Sequence, residues 1–174
     1  MKTLVVYSSH TGYTKKYAEW IAVDLKADIL NLKEFTAELA GCYETIVYGG
    51  WLKAGKISGL GVLKRHLKDL GNKKFCDFCT GNMLGTREEL EALVKKNFTK
   101  KESAKIKTFY FRGGFDYKKL SRINKFIMRS LKFVLQIKKN PTEGEKAIIE
   151  SFYSPVDYTA KENIKELMDY LKNG

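Results

Sequence analysis

Leu4-Val5-Val6-Tyr7-Ser8-Ser9-His10-Thr11-Gly12-Tyr13-Thr14, running straight into Lys15 to Lys26, decides how this chain is built. Its apolar opening, Leu4 to Tyr7, predicts a strand covered on both faces. Tyr17, Ala18, Ile21, Ala22 and Leu25 then recur with a helical period, so one apolar face of the following helix lies on that strand. Between the two sits a hydroxyl-rich turn. A helix start carries backbone N–H groups without intrahelical partners and the positive end of the macrodipole, which stabilises an anion by about 0.3–1 kcal/mol from the dipole alone. Ser8, Ser9, Thr11 and Thr14 add hydroxyl donors without adding charge, and the junction therefore suits a phosphate.

Spacing narrows which phosphate. No G-x-x-x-x-G-K-[ST] occurs, which argues against a nucleoside triphosphate with magnesium. The first turn lacks G-x-G-x-x-G and no acidic residue closes the second strand near Asn31, which argues against a dinucleotide. A terminal phosphate monoester remains. Ser9-His10-Thr11-Gly12-Tyr13-Thr14 resembles the [ST]-x-T-G-x-T phosphate loop of flavodoxins, and the resemblance implies that these six residues hold flavin mononucleotide, FMN.

Outward from this junction the chain alternates strand and helix. Strands are expected near Asp28 to Leu32, over Thr45 to Gly49, over Lys74 to Thr80 and over Ile106 to Phe111. Leu60, Leu63, Leu67 and Leu70 mark one helix face. Thr86-Arg87-Glu88-Glu89 reads as a capping box for another with Leu90, Leu93 and Val94 inward. A last helix is capped by Thr159, with Glu162 three residues on and Ile164, Leu167, Met168 and Leu171 facing the core. The fold class is α/β, a doubly wound five-stranded parallel sheet in the order 2-1-3-4-5. Ligands in such a sheet bind beyond the carboxyl ends of the strands at the switch point. Three loops should meet there: Ser8 to Thr14, Gly49 to Lys56 and Thr80 to Gly85. Strands one and three end in Ser8-Ser9 and Gly49-Gly50 rather than carboxylates, which disfavours a receiver domain.

Gly50, Trp51, Leu52, Lys53 and Ala54 supply small residues that let backbone approach a flat ring, with Trp51 to cover one face. By resemblance this loop contacts the isoalloxazine, and Gly81, Asn82 and Met83 meet its polar edge. No aromatic lies in that third loop. Gly113, Gly114, Phe115 and Tyr117 follow the fifth strand, and Phe115 or Tyr117 is the candidate for the second ring face. No acid–base residue is assigned.

With 174 residues, two prolines and no repeat, one domain over 1–174 is expected, carrying an insert over about 112–150. Met1-Lys2-Thr3 enters the strand without a secretory pattern, so a cytoplasmic chain is expected, or one peripheral to the inner face of the membrane. Cys76-Asp77-Phe78-Cys79 has C-x-x-C spacing, yet within a strand its cysteines point to opposite faces, against a redox dithiol; no second ligand pair supports zinc. The net charge of +12 suits an anionic membrane, nucleic acid or an acidic redox partner.

Lys118 to Lys139 contains eight basic residues and no acidic one. Lys118, Arg122, Lys125, Arg129 and Lys132 form one helical stripe; Leu120, Ile123, Ile127, Leu131 and Val134 form the opposite side, widened by Phe126, Met128, Phe133, Leu135 and Ile137. Such a helix lies on a bilayer rather than through it. The glycine-aromatic entry, this helix before the last one and the Asp157-Tyr158-Thr159 close resemble bacterial menaquinone-dependent protoporphyrinogen oxidases of the flavodoxin superfamily. That resemblance implies an insert tied to substrate and quinone. The leading expectation is an FMN redox protein carrying electrons between a redox protein or quinone and its partner. The alternatives are an FMN enzyme that oxidises a porphyrinogen and reduces a quinone, and a non-enzymatic basic binding module. Nucleic acid ranks last, for want of a stacked aromatic platform.

Overall fold

In a computed structural model, which describes residues 2–67, 73–141 and 143–173, the apolar runs form the expected parallel sheet. The first half of the chain runs β1 (Thr3–Ser8), α1 (Tyr13–Leu25), β2 (Asp28–Asn31), α2 (Ala37–Gly41), β3 (Thr45–Lys53), β4 (Lys56–Ile57) and α3 (Leu60–Leu67). It continues through β5 (Lys74–Gly81), α4 (Arg87–Asn97), α5 (Lys100–Ser103) and β6 (Lys107–Arg112). Then come β7 (Gly114–Phe115), α6 (Arg122–Ile137), α7 (Glu143–Ser151), β8 (Val156–Asp157) and α8 (Lys165–Asn173). Strand order is β2-β1-β3-β5-β6, the 2-1-3-4-5 arrangement read from the alternation, and all four of those pairings are parallel. Leu70, placed on the α3 face by its period, lies outside the described residues.

Alternate side chains of the central strands feed two cores. Val5, Val47, Cys76 and Phe78 meet Tyr17, Ala18 and Ile21 of α1 and Leu167, Met168 and Leu171 of α8 on one face. Leu4, Val6, Ile46, Tyr48 and Cys79 meet Leu60 and Leu63 of α3 and Leu93 of α4 on the other. Cys76 and Cys79 therefore lie on opposite faces, both buried and free. Burial pushes the Cys76 thiol up to about 12 and Cys79 well above its ordinary value, so neither forms a thiolate readily.

Several local expectations are corrected. The third strand does not end at Gly49 but runs on to Lys53 and turns back antiparallel through β4. Ala54 (φ 49°) and Gly55 (φ 75°) make the two-residue turn, both in the left-handed region that suits the strand twist. Helix α1 starts at Tyr13, so Tyr13 and Thr14 belong to its buried first turn rather than to the loop. Thr159 does not cap the last helix: a 3₁₀ turn, Lys161–Ile164, with Ala160 at its N-cap position leads into α8, and the Thr159 hydroxyl accepts a 2.7 Å bond from Lys16 Nζ. The box at Thr86 and Glu89 is as expected, and a second joins Thr99 and Glu102 at the start of α5.

The chain divides into two compact units, residues 1–113 with 159–174, and Gly114–Tyr158. The second unit holds the β7–β8 pair and packs α6 on α7, with Phe115 and Tyr117 against Phe152 at 5.8 and 5.1 Å between ring centroids. Its basic helix turns its apolar side outward: Ile123, Ile127, Leu131 and Val134 are exposed. Lys125 and Lys132 of the basic stripe lie instead over the Tyr117 and Tyr153 rings, at 6.0 and 4.1 Å. Aromatic faces attract the two ammonium groups, and their aliphatic stems cover apolar surface.

Candidate functional site

Strand order reverses between β1 and β3, and the β1–α1 junction lies at that switch point, beyond the carboxyl end of β1. Gly12 is the N-cap of α1 in a left-handed conformation (φ 97°), and no side chain caps this helix. That sets it apart from α2, α4, α5 and α6, whose first turns are closed by Thr36, Thr86, Thr99 and Ser121. The Ser9 hydroxyl oxygen accepts a 3.2 Å bond from the Gly12 N–H, standing where an oxyanion oxygen would accept the same donor. A helix start left open beside Ser9 and Thr11 fits a phosphate group.

Thr14 has a different position from the one its spacing suggests. It is fully buried, and its hydroxyl shares a 2.7 Å hydrogen bond with that of Thr80. The bond ties the first turn of α1 to the end of β5 and so holds two of the expected loops in register.

The second loop reaches the first through its rings. His10 stacks on Trp51, with 5.5 Å between centroids and 28° between planes. Gly49 and Gly50, read as loop glycines that admit a flat ring, are strand residues packed for another reason. A Cβ on Gly49 would fall 2.2 Å from Phe78 Cζ, and one on Gly50 2.5 Å from Ile57 Cγ2 and 2.8 Å from the Ser58 carbonyl oxygen. Lys53 and Ala54 lie at the exposed tip of the hairpin.

Asn97, at the end of α4, holds that hairpin and has no motif to betray it. Its side-chain oxygen accepts from Ile57 N (2.8 Å), and its Nδ2 donates to the carbonyls of Gly55 (2.8 Å) and Leu93 (2.9 Å). Lys96 Nζ donates to the Ala54 carbonyl at 2.7 Å. Asn97→Ala is expected to lower stability by about 2 kcal/mol by leaving the Ile57 N–H and Gly55 carbonyl without partners. Urea denaturation checks this, and Trp51 fluorescence reports the loosened hairpin.

The third loop joins the same edge. A Cβ on Gly81 would meet Leu52 Cδ1 at 3.0 Å, and the Gly81 carbonyl accepts from Gly113 N at 2.9 Å. Gly113 is buried beside Thr80 and Tyr13. The Met83 carbonyl accepts from the Tyr110 hydroxyl at 3.0 Å, while Asn82 is exposed. The first unit thus brings together Ser9 to Thr14, Gly50 to Leu52, Gly81 and Gly113. Gly114, Phe115 and Tyr117 belong to the second unit.

Sequence comparison agrees with this architecture. The family model described as Flavodoxin domain matches residues 4–144. The chain belongs to the flavodoxin-domain family. Among solved structures, this flavodoxin-domain chain is similar to oxidised flavodoxin 2 from Bacillus cereus, with 18% identity, coverage of 64% of this chain and 86% of that one, and a TM-score of 0.44. A flavoprotein in complex with FMN from Lactobacillus acidophilus NCFM is 18% identical, with 64% and 91% covered and a TM-score of 0.44. Rubredoxin oxygen:oxidoreductase from Desulfovibrio gigas is 13% identical; 99% of this chain aligns with 36% of that one at a TM-score of 0.48. No curated protein matches the sequence.

Proposed function

We propose that this flavodoxin-domain chain binds FMN at the β1–α1 junction and carries electrons between partners. The observation that carries the reading is the start of α1, left without a side-chain cap, with the Ser9 hydroxyl at the Gly12 N–H. Bound flavin would supply one- and two-electron chemistry. The chain's own part is binding and shielding. Ser9, Thr11 and the N–H groups of the first turn would hold the phosphate, and Gly12 lets the backbone turn toward it. Trp51 and Leu52 of the hairpin would lie along one side of the ring, with Gly81, Asn82 and Met83 at its polar edge.

Purified protein is expected to be yellow and to release FMN on denaturation, identified by chromatography. Ser9→Ala combined with Thr11→Val should weaken FMN binding at least about 100-fold, since each hydrogen bond to a charged group contributes roughly 1.5–3 kcal/mol. Riboflavin binding should stay unchanged. A colourless protein that ignores added flavin sinks the proposal.

A second reading follows from α6, whose exposed apolar side chains suit a lipid-borne acceptor. It makes the chain an enzyme that oxidises a porphyrinogen-like substrate and reduces a quinone. Anaerobic mixing of flavin-loaded protein with porphyrinogen and menaquinone distinguishes it: the enzyme reading requires formation of porphyrin, the carrier reading none.

A further inference from the structure

Seven large apolar side chains of α6 are exposed: Ile123 (74%), Phe126 (73%), Ile127, Leu131, Phe133 (65%), Val134 and Ile137 (65%). They form one broad arc of the helix. The other side is committed to the second unit, where Leu135 is buried, Lys132 Nζ donates to the Tyr153 hydroxyl at 2.7 Å, and Lys125 lies over Tyr117. Helix orientation is thus set from within the unit, apolar arc outward. Arg122 and Arg129 are exposed and stand one turn before Phe126 and Phe133, at the border of that arc.

We propose that α6 docks the protein on an anionic phospholipid surface, with the apolar arc at the acyl boundary and Arg122 and Arg129 on lipid phosphates. Charge decides among occupants. A second copy meeting this face across a twofold axis would set the same arginines and lysines against their own kind, and no acidic residue lies between Lys118 and Lys139 to offset them. Anionic headgroups neutralise that charge while the arc leaves water. Sixteen residues give a helix about 24 Å long, and no helix among the described residues is long and apolar enough to cross a membrane, so the contact is along the surface.

The test is co-sedimentation of the purified full chain with phosphatidylcholine vesicles, with and without about one-third phosphatidylglycerol. Binding to the anionic vesicles should be at least about tenfold tighter and should weaken as salt rises. Arg122→Gln with Arg129→Gln should weaken it about 30-fold, from two surface charges near the headgroups. Phe126→Ser with Phe133→Ser should weaken it at least about tenfold. All four residues are exposed, so far-ultraviolet circular dichroism should not change. Equal binding to both vesicle types overturns the proposal. So does absence of vesicle binding alongside a concentration-dependent dimer that the phenylalanine pair abolishes, which would assign the face to a second copy. The comparison of vesicles needs no variant and is independent of whether flavin is bound.

Discussion

Asp77→Asn is expected to stabilise the chain progressively as pH rises, with a difference from the parent that grows by about 4 kcal/mol between pH 4 and pH 7 and then levels off. Asp77 sits fully buried in β5. Burial, opposed by the Thr108 hydrogen bond and the Lys64 charge, raises its pKa from 3.8 to about 7. A carboxyl with a raised folded pKa holds its proton more tightly in the folded chain. Its contribution is therefore fully present below pH 3.8 and is lost as pH climbs through about 7. Thr108 donates a 2.7 Å bond to Oδ1, which the amide oxygen retains, but Oδ2 has no partner among the described residues. Any cost of the buried NH₂ is constant with pH, so the slope isolates the titration. Urea unfolding of both proteins from pH 4 to 9 measures it, and a pH-independent difference would refute the assignment.

Gly50→Ala should combine loss of stability with loss of ligand binding. The added methyl meets Ile57 Cγ2 at 2.5 Å and the Ser58 carbonyl oxygen at 2.8 Å, and the second of these is backbone. The strand is also held there by the Ser58 N–H, which donates to the Trp51 carbonyl at 2.9 Å. The hairpin must move away, and Trp51 moves with it. Overpacking of this kind costs about 1–3 kcal/mol. Displacing Trp51 should weaken FMN binding at least about tenfold. A variant with normal stability and affinity would show that the hairpin does not position the site.

What the sequence made legible was what is local. The β1–α1 junction is carried by a run of apolar residues, a helical period and the hydroxyls between them, all within one stretch. Strand order followed from the alternation of elements. Less legible were features whose cause lies far along the chain. Gly49 and Gly50 look like loop glycines because the side chains that forbid a Cβ, Phe78 and Ile57, are named only by the fold. The turn at Lys53-Ala54-Gly55-Lys56 had a local signal in its glycine, but the strand leading to it was cut short at Gly49. Asn97 and the Thr14–Thr80 bond join elements 40 and 66 residues apart. Thr159 had the spacing of a cap, but Ala160 holds the N-cap position and the Thr159 hydroxyl meets a lysine from α1. In α6 the amphipathic pattern was plain, yet its direction depends on Tyr117 and Tyr153, which no period in the helix itself reveals.

The phosphate cradle is tested most directly by calorimetric titration of flavin-free protein with FMN and, separately, with riboflavin, which lacks only the phosphate. Binding of FMN at least about 100-fold tighter than riboflavin is expected from the open start of α1 and its two hydroxyls. Equal affinities would contradict the account.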